Sequence, residues 1–265
     1  MTQLQACIDG IGLLGPGFDS WTEASAILSG RQAYAARPLN APPPASLPPA
    51  ERRRTGTLVK VAMAAGSEAI AQAGANAAEV ASVFASSGAD GDNCHAICEA
   101  LASDDRLISP TRFHNSVHNA ASGYWSIASG AMTPSSVVCA YDASFGAGLL
   151  EAMTLVAVEG RRCLLVAYEA PYPEPLNSTR PMPSPFAVAL LLSPRASEKS
   201  QARLAVELVD APLSLMPDKE IETLRQSIPC ARSLPLLAAL AQGKAGRVVL
   251  DYLAPLHIAV EVTPC

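Results

Sequence analysis

Twice along this chain a short apolar run passes through a turn of small polar residues into a helix-forming stretch, and no other feature limits the fold so tightly. Val80 to Ala85 leads through Ser86-Ser87-Gly88 to a helix expected near Asn93 to Ala102. Val137 to Ala140 leads through Tyr141-Asp142-Ala143-Ser144 to a second helix over Phe145 to Val158, with Leu149, Leu150, Met153 and Val156 near helical spacing and Gly160 as its stop. Strand, turn and helix in that order are the unit of α/β architecture. Further buried strands are expected at Ala6 to Leu14, Cys163 to Ala167 and Phe186 to Leu192, with weaker ones at Leu204 to Val209, Val248 to Leu250 and Ile258 to Val262. The most secure helix is the alanine-rich stretch Leu58 to Ala73, followed by Gly74. Others are expected from Asp19-Ser20 to about Ser29 and around Leu234 to Ala241.

Two proline-rich segments, Pro38 to Pro49 and Pro171 to Pro185, lack the backbone donors that inner strands and helices need, so they read as surface connections. No sharp change of composition divides the chain, and residues 1–265 are read as a single domain. With 19 basic and 24 acidic side chains the net charge is −5, which gives nucleic acid and anionic lipid no general attraction. The apolar fraction of 49 % raises mean hydropathy to +0.21, yet apolar runs such as Ala187 to Leu192 fall far short of the roughly 20 residues a membrane span requires. The first residues, Met-Thr-Gln-Leu-Gln-Ala-Cys-Ile, lack the charged and apolar regions of a signal peptide, so a cytoplasmic chain is expected. Its seven unevenly spaced cysteines then read as free thiols. Cys94-His95 with Cys98 has no second ligand pair at metal-binding spacing, and no phosphate-binding glycine loop or dinucleotide fingerprint occurs; neither metal nor cofactor is expected.

Two segments carry candidate chemistry. At Asp142-Ala143-Ser144 a strand enters a helix, the place where free backbone N–H groups and the helix dipole favour an activated nucleophile. Asp142 occupies the position of the first glycine of a Gly-x-Ser-x-Gly elbow, and the simplest role for it there is to cap the helix. Ser144 would be the nucleophile if the chain were an independent acyltransferase or hydrolase, with His114 or His118 as base. The second segment, Ser109 to Trp125, gathers Phe113, His114, Asn115, Ser116, His118, Asn119, Tyr124 and Trp125 in a chain with only 5 % aromatic residues. Four-residue spacing would put His114 and His118 on one helix face, where they could hold a metal or exchange protons, but no carboxylate lies nearby in sequence to orient them. A packing role at a buried contact surface is the plainer reading.

These two segments, with Arg52-Arg53-Arg54 and Val83-Phe84-Ala85-Ser86-Ser87-Gly88, resemble the β-ketoacyl synthases of the thiolase fold. They resemble more closely the truncated relatives described as chain length factors of bacterial aryl polyene pathways. The strand Leu164-Leu165-Val166-Ala167-Tyr168-Glu169 belongs to the same resemblance, which covers about residues 6–192. It implies a layered α-β-α arrangement around a mixed sheet, with the N-terminal half complete and residues 193–265 forming a shortened C-terminal half. Active members carry Thr-Ala-Cys-x-Ser at the strand-to-helix turn, and matching Ala143-Ser144 to its end puts Asp142 on the cysteine. An aspartate there would acylate to a labile anhydride, and it is already stabilised as the anion. Cys139 lies three positions earlier on the strand and points to the other face. Active members also supply two catalytic histidines from the C-terminal half, where this chain has only His257, without the His-Gly-Thr context.

The resemblance therefore implies a subunit without catalysis of its own, paired as a heterodimer with an active β-ketoacyl synthase and reached by acyl carrier protein through the complex. Phe113, His114, Asn115, Ser116, His118, Asn119, Tyr124, Trp125 and Phe145 would line or support the interface and the acyl tunnel. An active homodimeric condensing enzyme using another thiol, and a plain binding module, remain as further readings. Arg52-Arg53-Arg54 would either steer an acidic carrier protein or form a solvated entry to the alanine-rich helix.

Overall fold

The structure, a computed structural model, describes residues 3–265. They form one eight-stranded sheet built from β1 (Leu4–Leu14), β2 (Ala81–Ala85), β3 (Ser135–Val138), β4 (Cys163–Glu169), β5 (Phe186–Ser193), β6 (Ala202–Val209), β7 (Gly246–Leu250) and β8 (His257–Pro264). The order across the sheet is β3-β2-β4-β5-β1-β6-β8-β7. β3, β2 and β4 run parallel and all other pairings are antiparallel, so the sheet is mixed. Two of the three parallel strands, β2 and β3, open the repeated sequence units and β4 follows the second helix, since parallel neighbours need a crossover and the helices supply it. Residues 193–265 extend the same sheet through β6, β8 and β7.

Ten helices accompany the strands: α1 (Trp21–Leu28), α2 (Pro49–Arg52), α3 (Thr57–Ala73), α4 (Gly91–Ala102), α5 (Pro110–Asn115), α6 (Ala120–Ser129), α7 (Ser144–Glu159), α8 (Leu176–Thr179), α9 (Lys219–Ser227) and α10 (Leu234–Gln242). Strand side chains alternate between two apolar cores, one on each face. Along β5, Phe186, Val188, Leu190 and Leu192 join α1, α7, α9 and α10, whereas Ala187, Ala189 and Leu191 join α3 and α6. Every residue of β4 and β5 is buried, which is why these strands read as continuous apolar runs without alternation.

β1 bridges the halves, pairing with β6 through its first residues and with β5 through its last, across a bulge between Ile8 and Gly10. The extra residue lets Ile8 and Ile11 share a core despite their odd spacing. Gly10 and Gly12 admit α3 to close range: a Cβ on Gly12 would lie 2.0 Å from the Ala65 carbonyl oxygen, and one on Gly10 2.1 Å from that of Ala69. At that distance Gln72 and Glu68 of α3 accept hydrogen bonds from the Ile11 and Leu13 amides at 2.6 and 3.0 Å, satisfying donors that β6 does not reach. Burial pushes the Glu68 carboxyl above its ordinary range.

Three expectations need correction. Asp142 does not cap α7: its N-cap is Ala143, without a side-chain cap bond. His114 and His118 do not share a helix face either, because α5 ends at Asn115 and α6 begins only at Ala120. The expected helix near residue 93 begins at Gly91 instead, capped by the Asp90 side chain. The short helices α2, α5, α6 and α8, and α9, which buries only two apolar side chains, Ile221 and Leu224, beside Arg225, lacked a periodic apolar signal strong enough to stand out.

Candidate functional site

The parallel strands β2, β3 and β4 end side by side, and the segments leaving them converge on one place, as ligand sites do in open α/β sheets. From β3 the chain enters a 3-10 turn at Tyr141–Ala143 and then α7. Tyr141 takes a left-handed backbone conformation at φ +53°, which costs a non-glycine residue on the order of 1 kcal/mol. Its exposed ring lies 3.8 Å beneath the Arg180 guanidinium, a cation–π contact of comparable magnitude that helps offset the strain.

Asp142 projects from this turn into a pair of arginines. Arg180 donates to Oδ1 at 2.7 Å and Arg232 to Oδ2 at 3.0 Å. Arg232 in turn donates to Asp251 at 3.1 Å, Asp251 accepts from Arg225 at 2.8 Å, and Arg225 forms a two-pronged bond with Glu222 at 2.8 Å on each oxygen. The Arg225 hydrogen bond holds the Glu222 carboxyl down to about 2. Ser144, two residues on, is buried with its hydroxyl occupied by the backbone: it donates to the Tyr141 carbonyl at 2.7 Å and accepts from the Ala140 amide at 3.0 Å. Neither bond involves an imidazole, so the turn uses this hydroxyl to hold its own shape.

Beneath the turn lies Glu169, at the end of β4, its carboxylate accepting from the Ser87 amide at 2.7 Å and the Ser87 hydroxyl at 2.8 Å. Burial raises it to about 7, with the Ser87 hydrogen bonds and the Arg180 charge pulling the other way. Tyr172 stands 3.4 Å from the Ser87 hydroxyl and 3.5 Å from Arg180, and its ring opens onto a cavity of about 330 Å³ lined by Ala89, Cys94, Cys98, Tyr172, Pro173 and Leu176. Cys139 contacts the Ser87 carbonyl through Sγ at 3.4 Å.

The 109–125 segment divides by depth. Asn115, Tyr124 and Trp125 are buried: the Tyr124 hydroxyl donates to Asn115 Oδ1 at 2.8 Å, Asn115 holds the Arg54 carbonyl at 2.8 Å, and Trp125 lies over Gly66 of α3. His114 stands edge-on to Tyr124, His118 reaches the Ser86 carbonyl at 3.2 Å, and Ser116 donates to the Phe113 carbonyl. Asn119 immediately precedes α6 and accepts through its carbonyl from Ser122. Phe113 projects to solvent with Val117 and Ile127, and a groove of about 450 Å³ runs between them and Tyr124. Phe145 is placed away from this surface, in the core beneath α7. Arg52 is tied to the Ala45 and Leu47 carbonyls and Arg54 to Glu51, so two of the three arginines serve the entry to α3.

His257 opens β8, and alternation turns it away from the face on which Ile258 meets Gly146 of α7. Among the described residues no group of three His, Cys, Asp or Glu side chains could hold a metal ion, and no helix is long and apolar enough to cross a membrane. Arg180, Arg232, Asp251 and Tyr172 escaped the sequence reading, lying 30 to 110 positions from Asp142 in connections without periodicity. The one available hint was Glu169, a carboxylate closing an otherwise apolar strand.

A search of curated proteins finds no match by sequence. Solved structures match along nearly the whole chain. A ketosynthase (ApeO) in complex with its chain length factor (ApeC) from Xenorhabdus doucetiae is 27 % identical over 98 % of this chain and 99 % of that one, with a TM-score of 0.73. The ishigamide ketosynthase/chain length factor matches at 14 % identity, 98 % and 99 % coverage and a TM-score of 0.73. A type II polyketide synthase acyl-carrier protein in complex with its ketosynthase, AntDE:AntF, matches at 12 % identity over the whole of both chains with a TM-score of 0.76. The layered α/β fold around the mixed sheet is thus the thiolase-like fold of ketosynthases. The family model described as beta-ketoacyl synthase, N-terminal domain, covers residues 26–249, and the chain belongs to that family.

Proposed function

We propose that this chain is a non-catalytic subunit of the chain length factor type, which pairs with an active β-ketoacyl-acyl carrier protein synthase and shapes the tunnel for the growing acyl chain, in elongation of the aryl polyene kind. The carrying observation is Asp142: at the position matched to the acyl-accepting cysteine stands a carboxylate engaged on both oxygens by Arg180 and Arg232. Charge-assisted bonds to two guanidinium groups blunt its nucleophilicity, and its acyl product would be a labile anhydride. The likeness to ketosynthases described with chain length factors supports the same reading.

The surface supports a partner. β3 is an edge strand, and the exposed apolar side chains Phe113, Val117, Ile127, Met132 and Tyr141 lie on the segments around it. An uncovered strand edge flanked by apolar residues is a site where another chain adds. In the proposed pair, this face meets the ketosynthase, Asn115, Tyr124 and Trp125 brace it from behind, and the partner supplies the thiol and both histidines. Co-expression with a full-length ketosynthase encoded beside it should give a stable heterodimer on sizing chromatography. The chain alone, given malonyl- and acyl-carrier protein, should release no carbon dioxide; steady release above a blank sinks the proposal.

A further inference from the structure

Asp142 does more than occupy a nucleophile's place. It joins four segments that are remote in sequence: the 3-10 turn at Tyr141–Ala143, the proline-rich connection through Arg180, the 3-10 segment Pro229–Ser233 through Arg232, and, by way of Arg232 and Asp251, the loop that leaves β7. Arg225 and Glu222 anchor the far end on α9. Charges alternate along the series Arg180, Asp142, Arg232, Asp251, Arg225, Glu222, three of each sign, so the cluster is neutral and leaves no guanidinium free for an outside anion. Asp142 is the most exposed member at 40 % side-chain exposure, against 20 % at Arg180 and Arg232, 15 % at Asp251, 6 % at Arg225 and 16 % at Glu222. Charge-assisted bonds strengthen as water is excluded. The segments also touch directly: a Cβ on Gly146, in the first turn of α7, would lie 2.7 Å from the Asp251 carbonyl oxygen.

We infer that Asp142 is the keystone of an ion-pair clamp that holds the 171–185 connection and the loop after β7 against the turn, so that the segments around this subunit's former acyl site are locked in place. Calling the turn a former acyl site rests on the function proposed above; the clamp itself belongs to this chain alone and is tested without a partner's activity. The connection has few anchors of its own. Its amide bonds are short-range, from Asn177 to the Pro173 carbonyl, Ser178 to the Glu174 carboxylate and Arg180 to the Leu176 carbonyl, and Met182 seats its far end in the core, so the opening of the part before Met182 is governed by Arg180 and Tyr172.

Hydrogen exchange read by mass spectrometry on the peptide spanning residues 174–182 tests this. Asp142→Asn keeps the shape but turns one acceptor into a donor facing an arginine. It should speed exchange in that peptide by about tenfold, leaving β4 and β5 protected. In Asp142→Ala, formate should restore protection where chloride at equal ionic strength does not, because a free carboxylate can rejoin the two arginines. Unchanged exchange in Asp142→Asn, or equal effects of formate and chloride, overturns the clamp. Should neither Asp142 variant fold, Arg180→Gln cuts the same link from the other side, and unchanged exchange in its 174–182 peptide overturns the clamp equally.

Discussion

Glu169 shows how one buried acid can set the pH response of a site. Its surroundings pull both ways: burial favours the neutral form, whereas the Ser87 bonds and the Arg180 charge favour the anion, and burial wins. A carboxyl held near 7 in the folded state, against an ordinary value of 4.5, binds its proton more tightly folded than unfolded. Its contribution to stability is therefore complete below about pH 4.5 and is lost as pH rises through about 7. Glu169→Gln keeps a carbonyl for the Ser87 amide and removes the titration. Melting temperatures from pH 5 to 8 should show the unmodified protein losing stability relative to this variant; a constant difference between the two curves would refute the assignment. Nothing in the sequence near Glu169 announces this, because the burial that raises it and the Ser87 bonds that oppose it, from 82 positions away, both come from segments remote in sequence. Asp142 is a similar case. Its place at a strand-to-helix turn was legible, and so was its unfitness as an acyl acceptor, but a capping role was the natural expectation until Arg180 and Arg232 took both oxygens.

Among the elements, the seam between β1 and α3 is the tightest. Gly10 and Gly12 face α3 where a methyl group would meet backbone oxygen at about 2 Å, and backbone cannot step aside as a side-chain end can. Gly12→Ala should therefore cost at least about 2 kcal/mol, through overpacking and loss of the Gln72 and Glu68 bonds to the strand, and should shift the denaturant midpoint accordingly. A shift below about 0.5 kcal/mol would show that α3 can move outward at small cost. Most of these elements could be read in advance, and the reasons are local. β4 and β5 are apolar up to their closing residues, Glu169 and Ser193, because both faces are covered, and α3 carries good helix formers up to Gly74, whose left-handed conformation ends it. Where the reading failed, local signals were weak or misleading. His114 and His118 have helical spacing, yet Ser116 and its neighbours break the helix between them, and the spacing carries no record of that break.

For the whole molecule, the exposed groove along α5 and α6 is where the proposed assembly can be challenged. Ile127 is half exposed on α6, outside the packed core, so Ile127→Asp should leave the fold and melting temperature nearly unchanged. Placed within an apolar interface, the same charge should weaken pairing with a ketosynthase by about tenfold or more. Titration calorimetry or sizing chromatography at falling concentration reads this directly, and undiminished pairing would move the partner to another face.

The two margins of the sheet differ in a way that bears on how large such an assembly can grow. β7, at one end, carries Arg247, bridged to Glu207 at 3.2 Å and Glu261 at 3.4 Å across its neighbours, a charged lattice that a further strand would have to dismantle. β3, at the other end, bears only Ser135, Ser136, Val137 and Val138. A chain that adds a strand at β3 consumes the receptive margin and finds the far one passivated, so growth is self-terminating: the product is a closed pair, with no open ribbon to propagate into fibres.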